Sequence, residues 1–192
     1  MLAGGASRRL GRDKALVPLP DGRPLVQAAA ERVAQVCANV LLVIDRPGRY
    51  RGLAPTAAEV VDSGRGLGPL DGIRAALAAA QTSHVLVVAC DMPFLSVPLL
   101  AHMASVDRAY DALVPVTDDG IQPLHAIYGR ACLPVAEGLL AAGELAVGDL
   151  LERVNTRFLR RHEWGPLDPE GLSFFNLNRS EDAERMREIW RR

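Results

Sequence analysis

The sequence has 192 residues, 49% of them hydrophobic, enough for one domain over residues 1–192 that buries roughly 70% of the surface its unfolded chain would expose. Lys and Arg number 22 against 23 Asp and Glu, so the chain lacks the overall basic field of a nucleic-acid binder, and any phosphate binding must be local. Cys37, Cys90 and Cys132 form no C-x-x-C pair, and no run approaches the ~18 apolar residues of a membrane span; the expectation is a cytoplasmic chain with no disulfide framework, no cysteine zinc site, no membrane and no nucleic-acid partner.

In chain order, a short apolar start at Met1 runs into a glycine- and arginine-rich segment ending at Lys14, the only lysine of the sequence. A helix is predicted from Pro24 to Val36, with proline at its first position. Continuous apolar, β-branched runs predict buried strands at Asn39–Asp45, Glu59–Asp62, His84–Asp91 and Asp111–Val116. Helical patterns at Leu70–Ala80 and Val97–Val106 lie between them, and a last helix, Asp182–Trp190, is expected to be capped by Asn178 with Glu181 three residues on. This alternation implies an α/β fold, a three-layer doubly wound sandwich around a mostly parallel sheet, with the ligand crevice at the carboxyl ends of the strands.

Leu2 to Lys14, LAGGASRRLGRDK, has the composition of a phosphate cradle. Glycines let backbone N–H groups turn towards an anion, and the cations offset a triphosphate. Neither the P-loop spacing nor G-x-G-x-x-G is present, so spacing alone leaves a glycine-rich turn with solvated arginines open as the alternative. Asp91 ends an apolar strand before Met92-Pro93, where a carboxylate suits Mg²⁺ or a simple turn. His125 is isolated and reads as a strand residue satisfied by a neighbour; Arg157, Arg160 and Arg161 read as a solvated face.

The segment Leu2–Lys14 matches L-A-G-G-x-S-x-R-[ML]-G-x-D-K, with Leu10 at the usual methionine position, and so resembles the MobA-like nucleotidyltransferases, most of all the molybdenum cofactor guanylyltransferases. Four further motifs keep the family order: Asp62 followed by G-P-L-D-G from Gly68, C-D-M-P around Asp91, Q-P-L-H-A-I-Y from Gln122, and F-F-N-L-N containing Asn176. The resemblance implies a Rossmann-like nucleotidyltransferase fold. It also implies a nucleotide site formed by Leu2, Ala3, Gly4, Gly5, Lys14, Asp62, Gly68, Asp91 and Asn176. Arg9 and Lys14 would meet the phosphates, and Asp91 would hold Mg²⁺. GTP and the molybdopterin cofactor are the implied substrates, the double glycine tilting the base towards guanine, and molybdoenzyme maturation proteins are the implied partners. A cytidylyl- or sugar-phosphate nucleotidyltransferase, or a non-catalytic nucleotide-binding maturation partner, are the alternatives. Only Met1 precedes the motif, where the family has several residues, so a shortened central strand is expected; Val43 stands where some relatives carry a polar residue near the base.

Overall fold

Strand and helix alternate as the apolar runs imply. The computed structural model of the protein describes residues 1–3, 13–55 and 57–192. A 3-10 turn at Lys14–Leu16 leads to α1 (Leu25–Ala34), β1 (Val40–Ile44), β2 (Ala57–Val61), α2 (Pro69–Ala79), β3 (His84–Val88) and α3 (Val97–Ser105). Then come β4 (Ala112–Thr117), β5 (Gly120–Ile121), β6 (His125–Gly129), α4 (Cys132–Ala141), α5 (Val147–Glu152), β7 (Thr156–Leu159), α6 (Arg161–Trp164) and α7 (Ser180–Trp190). Residues 132–164 therefore add two helices, a strand and a single helical turn that the apolar patterning does not single out.

Residues 1–3 form the centre of the sheet. Leu2 bridges Val43 of β1 on one side and Ala89, just past β3, on the other, both in parallel. The N–H of Ala3 donates to the Val43 carbonyl at 2.9 Å and that of Leu2 to the Val88 carbonyl at 2.8 Å. The strands thus run in the order β2, β1, residues 1–3, β3, β6, β4, β7, with β5 a short hairpin partner of β4. β6 is antiparallel to both β3 and β4, whereas β1 with β2 and β4 with β7 are parallel. The sheet is mostly parallel, with β6 inserted against its direction.

Alternation along the strands sorts their side chains onto two helical layers. Val40, Leu42, Ile44 and Val88 pack with α1 residues Val26, Ala29 and Val33, while Leu113 and Ile127 meet Leu99 and Met103 of α3. On the other face Val87, Ala112, Val114, Ala126 and Tyr128 pack with Leu70, Ile73 and Leu77 of α2 and with α4 and α5. Continuous apolar runs are required because both faces are covered. α3 starts where the Ser96 hydroxyl accepts the Leu99 N–H at 3.3 Å, and Pro98 follows in its first turn.

α7 departs from the predicted cap. Arg179, not Asn178, precedes its first residue, and the Asp182 carboxylate accepts the N–H groups of Asn178 and Arg179, each at 2.7 Å. Asp182 thereby holds the two N–H groups just ahead of the helix and leaves the Asn178 side chain for another partner.

Candidate active site

The carboxyl ends of β1, β2, β3 and residues 1–3 open onto a cleft of about 680 Å³, within the range of small-molecule sites. Its lining includes Leu2, Ala3, Lys14, Asp62, Gly68 and Asp91. These predicted residues, dispersed over 90 positions of sequence, converge because the parallel strands end on one side of the sheet, where the central strand, the turns after β2 and β3 and the start of α2 all lie. Gly4, Gly5 and Arg9 lie outside the described residues.

Asp91 and Lys14 are the chemical centre. β3 delivers Asp91 to the cleft, and the Leu177 N–H donates to the Asp91 carbonyl at 3.0 Å, fastening the chain ahead of α7 to this strand end. Lys14 Nζ lies 3.2 Å from Asp91 Oδ2 and donates to Asn178 Oδ1 at 2.8 Å. The two charged side chains are 21% and 16% exposed, so the pair is only partly screened. Burial pushes the Asp91 carboxyl above its ordinary pKa; the Lys14 ammonium works the other way without cancelling the shift. Among the described residues no group of three or more His, Cys, Asp or Glu could cage a metal. One carboxylate beside a lysine, facing an open cleft, instead fits a divalent cation that keeps waters and takes its other ligands from substrate phosphates. Cys90 is a buried neutral thiol, its pKa raised chiefly by burial and further by Asp91.

The far wall is the loop from Asp62 to Gly68. Asp62 Oδ1 accepts the Gly64 N–H at 2.8 Å, turning the chain immediately after β2. Asp71, 2% exposed, accepts the Ser63 N–H and hydroxyl and the Arg74 Nε–H. Burial alone would raise its pKa, but the hydrogen bonds from Ser63 and Arg74 outweigh it and hold the carboxyl below its ordinary value. Asp71 is therefore the residue that shapes this loop. Gly68 caps α2 at φ 81°, ψ −164°, a conformation that L side chains avoid, and Gly72 faces Leu2, whose δ carbons would stand 3.2 Å from an added Cβ. One glycine sets the turn, and the other lets α2 approach the central strand.

Beside the cleft, Asp13 of the glycine motif meets Arg49 and Tyr50, which the sequence does not single out. Asp13 accepts the Ala15 N–H and two guanidinium N–H groups of Arg49, and lies against the Tyr50 hydroxyl. Arg49 Nη1 also approaches Asp45 Oδ1 to 2.6 Å; this is a charge contact without an aligned N–H, and among the described residues the buried oxygen has no hydrogen-bond donor. Burial would lower the Arg49 pKa, but Asp45 and Asp13 raise it. A D-K dipeptide at the motif's end with R-Y after β1 was the available signal, but nothing in either string states that they meet.

Asn176 Nδ2 donates to the Phe174 carbonyl at 2.9 Å, closing a local turn, whereas Asn178, expected to cap α7, is the asparagine that reaches Lys14. His125 is fully buried, but neither ring nitrogen has a hydrogen-bond partner among the described residues; its ring meets Phe174 edge-on at 4.9 Å. Arg157 pairs with Glu163 at 2.9 Å on an exposed face, as expected of solvated arginines.

A family model described as the MobA-like NTP transferase domain matches residues 1–161. A probable molybdenum cofactor guanylyltransferase of Methanothermobacter thermautotrophicus is 35% identical over 190 residues, covering 95% of this chain and 94% of the relative. The solved structure of molybdopterin-guanine dinucleotide biosynthesis protein A from Archaeoglobus fulgidus superposes with a TM-score of 0.86 at 29% identity, over 99% of this chain and 96% of that one. A 4-diphosphocytidyl-2C-methyl-D-erythritol synthase from Anaerococcus prevotii shares the fold alone, at a TM-score of 0.75 and 16% identity over 100% of this chain and 94% of its own. Matched by that family model over residues 1–161 and 35% identical to a relative along 95% of its length, the chain belongs to the MobA-like NTP transferase family.

Proposed function

We propose that this protein transfers GMP from GTP to the phosphate of the molybdopterin cofactor, releasing pyrophosphate and forming the guanine dinucleotide. The observation that carries the reading is the Lys14–Asp91 pair at the strand ends of a nucleotide-sized cleft. An oxygen of the pterin phosphate attacks the α-phosphorus of GTP, and the bond from that phosphorus to the β-phosphate oxygen breaks. Pyrophosphate carries away the electron pair, and no covalent protein intermediate is needed.

The protein's part is positioning and charge neutralisation. Lys14 exchanges its contact with Asp91 for the triphosphate and offsets the charge that gathers on the departing pyrophosphate. Asp91 would hold Mg²⁺, which would supply further charge neutralisation at the phosphates. Asp62 and Gly68 line the nucleoside end, and Arg9 is proposed as a second phosphate cation. The work is assigned to the cytoplasm, where three unpaired cysteines are at home.

The test is pyrophosphate release with Mg²⁺ and each of the four NTPs, with and without molybdopterin cofactor. Release with GTP only, and only with the pterin, is the expected result; release with CTP instead would reassign the base. Asp91→Ala and Lys14→Ala should each slow turnover by about 10²-fold or more, and an Asp91→Ala variant of unchanged activity would remove the metal assignment.

A further inference from the structure

The residues on either side of the glycine segment meet at one hydroxyl. Tyr50 Oη lies 2.9 Å from the Ala3 carbonyl oxygen and 3.0 Å from Asp13 Oδ2, two acceptors that share its one proton, and the residue is only 2% exposed. Arg49 stands beside it, with its guanidinium carbon 5.3 Å from the Tyr50 ring centroid. Arg49 Nε and Nη2 donate to Asp13 Oδ2 at 3.0 and 2.8 Å, while Nη1 contacts Asp45. Asp13 Oδ1 in turn accepts the Ala15 N–H at 3.1 Å, so the carboxylate that Arg49 holds is also bonded to the backbone just past Lys14. Tying the ends of a chain segment in advance removes conformational freedom that binding would otherwise have to remove. A planar fork can serve two carboxylates at once, which an ammonium cannot do in a fixed geometry. The cation also balances Asp13 and Asp45, both of which line a cleft meant for a polyanion.

We propose that Arg49 and Tyr50 are positioning residues for nucleotidyl transfer: they staple Ala3 to Asp13 and, through Asp13, hold Lys14 in front of Asp91. The inference rests on the nucleotide reading of the cleft. It concerns the approach of Lys14 to the phosphates, so its signature is dependence on that lysine.

The experiment is a double-mutant cycle on the full chain, combining Arg49→Met with Lys14→Ala. The nucleotide Kd is read by calorimetry without acceptor, for GTP and CTP, and kcat and KM are read alongside. Arg49→Met should weaken nucleotide binding about tenfold or more with Lys14 present and by less than about twofold in the Lys14→Ala background. Arg49→Lys should stay impaired, and Tyr50→Phe, which removes only the hydroxyl, should move in the same direction. Equal losses in both backgrounds overturn the proposal, and so does a wild-type Kd in Arg49→Met. Should Arg49→Met fail to give a cooperative thermal melt, Tyr50→Phe takes its place in the cycle under the same criteria. Absent turnover in the wild type would count against the molybdopterin reading, while the cycle in Kd still decides the staple.

Discussion

His125 and Asp91 lie at the meeting ends of β6 and β3, and burial drives both towards their neutral forms. The His125 pKa falls from 6.5 to about 4 through desolvation. Its folded value is depressed, so the unfolded chain binds the extra proton between those two values, and stability present above pH 6.5 is lost as pH falls towards 4, by about 1.4 kcal/mol per unit. His125→Leu should remove this acid sensitivity and the unsatisfied ring nitrogens together. Urea unfolding at pH 7 and pH 5 should show a smaller difference in the variant than in the wild type, and an unchanged difference would sink the assignment. Asp91 has the opposite sign: a raised folded pKa favours folding below the ordinary carboxylate range and costs stability once pH rises through the folded value. Asp91→Asn should therefore melt at or above the wild-type temperature while losing nucleotidyl transfer, whereas a lower Tm would give Asp91 a structural role. Lys14 and Asp91 are legible in the sequence because each sits inside a contiguous motif. Asn178 is not, since its partner Lys14 is 164 residues away and local pattern favours a helix cap; nor is the meeting of Asp13 with Arg49, 36 residues on.

Among the elements, the buried parallel strands announce themselves, because a strand covered on both faces must be apolar at every position. Val40–Ile44 and Ala112–Thr117 fall within one or two residues of the runs that predict them. The direction of β6 is silent in sequence: His125–Gly129 would look the same in a parallel neighbour, and its antiparallel pairing is decided by the β4–β5 hairpin that returns the chain. β2 is harder to read for the opposite reason, as a partly exposed edge strand need not be apolar throughout. At the start of α2 the backbone is specified by one residue. Gly68→Ala would meet no neighbour within 4 Å among the described residues, so the cost the structure shows is conformational, about 1–3 kcal/mol, and should appear as a lower urea midpoint. A midpoint within error of wild type would mean that the loop can relax, in which case nucleotide affinity should change in its place.

For the molecule as a whole, residues 1–3 join the β1–β2 pair to the five other strands. Leu2 packs against both the α2 face of β1 and the core of the larger part. Leu2→Ala, at a partly buried position, should cost about 1–3 kcal/mol and shift far-UV circular dichroism and tryptophan fluorescence midpoints together, because Trp164 and Trp190 report from the far layer. Separated midpoints would show that the two parts unfold independently. The lone lysine has a last consequence. A lysine-specific endoprotease has one bond to cut in this sequence, after Lys14, and Ala15 on the other side of that bond is 1% exposed. Digestion would sever the central strand from everything it pairs with, so the rate of a single cleavage becomes a clock for excursions of the cleft's cation, and nucleotide should slow it.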